Sequence, residues 1–352
     1  MKLLRGTGFL VIDSMTHERI GDAGTGRQPH AFVVDTDGGW GYVPYMASNT
    51  VQTIDLGTFS VVEETEAVGV APVGAALTSD GRFLAVTSYG PLPGEDTPGV
   101  TIFETAADGT LTITAQLSIG KAAGISTVGR DLWIALKDAN SLLRVVGPPY
   151  TVADSFELPG GPETVTYSST LGVLGVTCAD DDAVVFVDTN CRTILGTAEA
   201  PNPRGGTPIP SYDWWVVADT EDDGLTAIDI GVDWGSDSFP IERISLGTST
   251  SFTDITPDGE YLVADANEGD RVTFFDAESL SILTRVQTDD RPHHPRFTPD
   301  GTACYVPNMG ADTVTVLNTT TLPDSPSILT TIAAPAGGAP SGCFFTQRRS
   351  HS

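Results

Sequence analysis

The chain is short of lysine, histidine and cysteine, and it has no long apolar run. Its 352 residues include three lysines (Lys2, Lys121 and Lys137), five histidines and four cysteines. Eighteen basic residues stand against 46 acidic ones, giving a net charge of −28 and a pI near 4.2. Nucleic acid and anionic membrane surfaces are both met by a basic footprint, so this balance argues against either as partner. No apolar stretch reaches eighteen residues, and no transmembrane helix is expected. The opening MKLLRGTGFLVID is too short and too soon polar for a signal peptide and lacks a twin-arginine pattern, so a cytoplasmic location is expected. Cys178, Cys191, Cys304 and Cys343 are widely spaced. Without a C-x-x-C pair they are expected as buried free thiols. A Ser-His-Asp order, a Walker loop and H-E-x-x-H are all missing.

Asp, Thr and Gly are plentiful. An acidic, lysine-poor composition resembles that of proteins from salt-loving archaea, in which a hydrated acidic surface keeps the chain soluble in molar salt. The negative charge then reflects the solvent and says little about ligands.

The strongest internal signal is a repeat. An apolar strand runs into T/D-x-D-G, as in VDTDG (34–38), LTSDG (77–81), ITPDG (255–259) and FTPDG (297–301). A second strand and a turn follow, and the unit closes on T-h-h-D or a variant: QTIDL (52–56), VTIFE (100–104), VFVD (185–188), TAID (226–229), VTFFD (272–276) and VTVLN (314–318). The D-G turns suit hairpins, since Gly accepts φ > 0. Short, alternating β-branched segments separate them, and nothing reads as a long amphipathic helix.

A period near 42 residues with four strands per unit points to an all-β fold, a β-propeller in one domain spanning 1–352. Seven full units begin near 27, 71, 119, 158, 202, 248 and 289. GGAPSGCFFT (337–346) then remains as a lone first strand, and GFLVIDSMTHERIGD (8–22) as third and fourth strands. Joined, they make an eighth blade closed by both termini, with its second strand missing or reduced to Met1–Arg5. Eight blades, at about 44 residues each, are preferred over seven.

The scarce cations and histidines gather in two similar stretches, GRQPHAFVVDTDG (26–38) and RPHHPRFTPDG (291–301). In a propeller the lead-in to the first strand and the turn between second and third strands lie on one face, around the axis. Lead-ins supply Arg27, His30, Lys121, Arg204, Arg291, His293 and His294, with Arg296 just inside its strand. The turns supply Tyr45, Asn49, Tyr89, Lys137, Asn267 and Asn308. Six of the eighteen basic residues thus map to one rim. Arginine pairs bidentately with carboxylates, and neutral imidazole ligates metals when its other nitrogen has a fixed partner. His30 can equally hold a blade junction by hydrogen bonding. Neighbouring residues of an extended segment point opposite ways, so at most one of His293 and His294 is expected to face the axis.

Other motifs carry less. DTEDDG (219–224) lacks a carboxylate at the twelfth position of a calcium loop, where Ile230 stands, and reads as a solvated acidic turn, as does ADDDA (179–183). Trp40, Trp133, Trp214, Trp215 and Trp234 read as blade packing.

Both ends, LRGTG (4–8) and PSGCFFTQRRSH (340–351), resemble those of NirF-type proteins, relatives of the haem d1-binding propeller of cytochrome cd-type nitrite reductase, within the wider YVTN-repeat propellers. PHAFVVDTDGGWGYVPYMASNTVQTIDL (29–56) is similar to that family's first full blade, GAALTSDGRFLAVTSYGP (74–91) to the next, and HPRFTPDG (294–301) to the last; residues 119–247 match poorly. The resemblance implies a protein that binds haem d1 or a precursor and serves its maturation, as a dehydrogenase of the late precursor or as a carrier, with cofactor-biosynthesis proteins as possible partners. It makes His30 the candidate axial iron ligand or catalytic base, with His294 at the family's second histidine position. Arg27, Arg204, Arg291, Arg296, Lys121 and Lys137 would then face the ring's carboxylates. A lactonase-type hydrolase and a non-catalytic scaffold are the alternatives.

Overall fold

The computed structural model describes residues 2–3, 7–35, 39–66, 68–90, 99–231 and 238–345. The fold is all-β: eight four-stranded sheets, the blades of an eight-bladed β-propeller, with two short 3-10 turns as the only helical elements among the described residues. None of these is long and apolar enough to cross a membrane.

Seven sheets take their four strands in chain order. The first holds Val33–Val34, Trp40–Tyr45, Thr50–Asp55 and Val61–Thr65. The sixth holds Thr253–Ile255, Tyr261–Ala266, Arg271–Asp276 and Ile282–Gln287. The eighth sheet takes Pro340–Gly342 as its first strand, Lys2–Leu3 as its second, then Thr7–Ile12 and Arg19–Arg27. This is the closure by both termini that the leftover strands imply, and it gives eight blades instead of seven. The last of these strands runs on to Arg27, beyond the expected 22.

The repeated turn has one chemical design. In LTSDG, Thr78 Oγ1 donates to Asp80 at 2.7 Å and accepts the amide of Phe83 at 3.1 Å, while the Gly81 amide returns to the Thr78 carbonyl. Gly81 has φ +66°, a conformation that favours glycine. Thr256–Asp258 and Thr298–Asp300 repeat the hydroxyl-to-carboxylate bond at 2.6 Å. The hydroxyl bonds from Thr78 and Thr298 hold the Asp80 and Asp300 carboxyls below the usual range. Residues 36–38 of VDTDG lie outside the described residues.

Second and third strands are nearly all buried, as in Val173–Cys178, whereas fourth strands alternate, as in Val61–Thr65. That difference follows from packing: inner strands are covered on both faces, outer strands on one.

The chain divides into two compact units, one of Met1–Gly6, Leu10–Ile20 and Ser168–Phe345, the other of Thr7–Phe9, Gly21–Tyr167 and Thr346–Ser352. In the first, Trp215 meets Phe186 edge-on at 5.3 Å, and Leu10, Tyr305, Val316 and Cys343 share a cluster. In the second, Trp133 stacks on Phe156 at 5.7 Å, and Tyr42, Leu84 and Phe103 are buried together. Trp40 and Trp214 donate their indole N–H groups to the carbonyls of Ala107 and Glu278; Trp234 lies outside the described residues.

Two expectations change. Cys178, Cys304 and Cys343 are buried, but Cys191 is exposed, since it follows the Asp188 turn and its amide donates to that carboxylate. ADDDA is exposed at Asp180 to Asp182. DTEDDG is not wholly solvated: Asp219 is 1% exposed, accepts the Thr226 hydroxyl at 2.7 Å, and is pushed up to about 6 by burial.

Candidate ligand site

Each unit carries one histidine lead-in. In the unit holding Gly21–Tyr167, Gln28 turns the chain with φ +54°, and Pro29 bridges Tyr45. The His30 amide donates to Pro44 at 3.1 Å, and the Met46 amide to Gln28 at 2.9 Å. The ring is fixed as well, with His30 Nδ1 2.7 Å from the carbonyl of Val73 in the second sheet. A carbonyl only accepts, so Nδ1 carries the proton, and in the neutral ring the lone pair lies on Nε2.

The unit holding Ser168–Phe345 repeats this term by term. Arg291 has φ +55°, and Pro292 bridges Asn308. The His293 amide donates to Pro307 and the Met309 amide to Arg291, both at 2.8 Å. His293 Nδ1 lies 2.8 Å from the carbonyl of Ser341. By hydrogen bonding the counterpart of His30 is therefore His293, and His294 occupies the place of Ala31. The lead-in is not an extended segment here, since His294 has φ +53°, so alternation does not govern where the two rings go. Both rings flank Phe252. His294 stacks on it at 4.0 Å with 7° between planes, and His293 meets it edge-on at 5.0 Å.

Two buried carboxylates hold this stretch in place. Asp265, with no exposure, accepts the amides of Ser251 at 2.7 Å, Phe252 at 3.2 Å and His294 at 2.9 Å. Burial pushes its carboxyl up to about 7, against the pull of those three bonds. Asp254 accepts the Phe297 amide at 2.8 Å and faces Arg296 at 3.3 Å; burial raises its carboxyl too. Pro292 and Pro295 have no amide hydrogen to satisfy.

The basic residues are not equivalent. Arg296 pairs with Asp254, and Lys137 with Glu163 at 2.8 Å. Arg27 ends the last strand of the eighth sheet and reaches the Ala47 carbonyl at 3.3 Å. Arg204 lies within the strand Pro203–Ile209 instead of before it. Lys121 and Arg291 are exposed, and among the described residues neither side chain pairs with a carboxylate. Of the turn residues, Tyr45 is a fully buried strand residue. Asn49 caps the Ala71 amide at 2.8 Å, Asn267 donates to Ser251 at 2.5 Å, and Asn308 bonds Thr313 and Thr315.

Sequence reasoning missed Asp265, Asp254 and Phe252. An acid inside the apolar run YLVADA (261–266) is a signal for Asp265, since a buried charge needs partners.

The chain matches no known family profile and no curated protein. Solved structures do match. The dihydro-haem d1 dehydrogenase NirN in complex with DHE has a TM-score of 0.78 at 18% identity, covering 97% of this chain and 73% of that one. The periplasmic gluconolactonase of Pseudomonas aeruginosa gives 0.62 at 16%, covering 99% of both chains. Hydrazine synthase of Kuenenia stuttgartiensis gives 0.60 at 19%, covering 83% and 96%. The likeness is one of fold. At these identities it makes the chain a β-propeller and assigns it no substrate.

Proposed function

We propose that this propeller binds a tetrapyrrole of the haem d1 type and acts in that cofactor's maturation or carriage. The observation that carries the reading is the bond from His30 Nδ1 to the Val73 carbonyl at 2.7 Å. It places a proton on Nδ1, so that in the neutral ring the lone pair lies on Nε2, and it is the kind of orienting partner that ligating imidazoles have. The donor set therefore suits a haem-type iron. Two further facts support the reading: the terminal and blade motifs resemble those of NirF-type proteins, and a solved propeller of the same fold is a dihydro-haem d1 dehydrogenase.

Bound, the macrocycle would supply redox-active iron on a flat ring bearing carboxylates. The protein's own part is narrower. His30 holds one imidazole in a single tautomer, through the Val73 carbonyl. Arg27, exposed at the same lead-in, offers a guanidinium suited to a carboxylate. The test is a titration of the protein with haem d1 and with its dihydro precursor in molar salt, followed by visible absorption. A saturable band shift with either supports the reading. No shift with either, together with hydrolysis of a gluconolactone, overturns it in favour of a lactonase-type hydrolase.

A further inference from the structure

Two of the three lysines in this chain stand opposite one another along the backbone. The Lys137 amide donates to the Lys121 carbonyl at 2.9 Å, which extends the ladder of the third sheet one pair beyond Ala122 and Leu136. Like charges directly opposite across strands destabilise a sheet. A chain with fifteen arginines and three lysines nonetheless sets two lysines at opposed backbone positions here.

Among the described residues, only Lys137 of the two has an acidic partner for its side chain. Lys137 Nζ donates to Glu163 Oε2 at 2.8 Å, and the Tyr89 hydroxyl donates to Glu163 Oε1 at 3.3 Å. Glu163 is 17% exposed and Lys137 34%. Tyr89 belongs to the second sheet and Glu163 to the fourth, so the phenol and the carboxylate meet beside the lysine-bearing end of the third. Lys121 is exposed, and among the described residues no carboxylate lies within ion-pair distance of its ammonium. Its stem is positioned nonetheless. Gly90 has φ +138°, and a Cβ there would stand 3.1 Å from Lys121 Cγ, so the missing side chain leaves room for the lysine against the backbone. The Lys121 amide is held by Asp138 at 3.1 Å.

We propose that Lys121 and Lys137, with the Tyr89 hydroxyl beside them, form a subsite for a carboxylate group of a polycarboxylate ligand. A carboxylate has two oxygens and takes two charged donors at once, which answers the unbalanced pair. Where the ligand is the tetrapyrrole, the assignment rests on the reading above; the subsite itself does not.

The lysine count makes the test direct. Reductive methylation with 13C-formaldehyde keeps the positive charge and yields resonances from three lysines and the amino terminus alone. Lys121→Arg and Lys137→Arg assign them. The probe is 1,2,3,4-butanetetracarboxylate, titrated at constant high potassium chloride. The Lys121 and Lys137 signals should shift saturably while Lys2 stays still, and Glu163→Gln should tighten binding several-fold by removing a competing carboxylate. A purely structural Lys137–Glu163 pair would instead give a weaker or unfolded variant. Equal or unsaturable shifts at all three lysines overturn the subsite, whether or not haem d1 binds. If the probe binds and haem d1 does not, the subsite stands and the tetrapyrrole reading falls. If both bind, Lys121→Met should cost haem d1 at least about tenfold in affinity, and an unchanged affinity means that the ring's carboxylates do not use this subsite.

Discussion

The His294 backbone amide donates to the buried carboxylate of Asp265 at 2.9 Å, and this one contact ties the seventh sheet's lead-in to the sixth sheet. The same carboxylate fixes Phe252, on which the His294 ring stacks. A single acid thus sets both the backbone and the stacking partner of that histidine.

Asp265→Asn gives a pH signature with a definite sign. The folded-state carboxyl is raised from 3.8 to about 7. Between those values the folded protein holds a proton that the unfolded chain has lost, so this group's contribution is fully present below pH 4 and is lost as pH rises through 7. Urea unfolding should show that Asp265→Asn destabilises more at pH 5 than at pH 8, by about 2–3 kcal/mol. A pH-independent difference contradicts the assignment.

The turn design predicts a specific weakness. Thr298→Val removes a hydroxyl that donates to Asp300 and accepts the Ala303 amide, while keeping the β-branched shape. The cost should be about 1–3 kcal/mol by denaturant unfolding. Thr320→Val, at an exposed hydroxyl that among the described residues bonds to the nearby Asn318 alone, should cost much less. Equal losses at both sites contradict the design.

Salt dependence follows from charge. With 46 acidic and 18 basic residues, self-repulsion is strong when the screening length is long. The melting temperature should rise by tens of degrees between dilute buffer and molar potassium chloride. A curve that does not move with salt removes the halophilic interpretation of the composition.

The sheets that use the T-x-D-G turn were legible because that turn is a local device. Thr78, Asp80 and Gly81 make it among themselves, so it survives in the sequence wherever it is used. The closing sheet was legible by subtraction, from strands left over at 8–22 and 337–346. Its second strand, Lys2–Leu3, is too short to carry a pattern. The histidine lead-ins were visible as composition, but His293 emerges as the counterpart of His30 only through backbone bonds to Pro307 and Ser341. Ser341 is 48 residues away, and no local pattern encodes that distance. Asp265 was overlooked for a related reason: its partners are amides, which every residue but proline has.

Ligation of a haem d1-type iron by His30 is tested by the visible spectrum of wild type and His30→Ala titrated with haem d1 in molar salt. Wild type should show a saturable band shift that is lost in His30→Ala, while the variant still melts cooperatively and loses about 0.5–1.5 kcal/mol for the missing bond to Val73. A full band shift in His30→Ala, with a sharp fall in stability, would contradict the claim and make His30 a tie between two sheets.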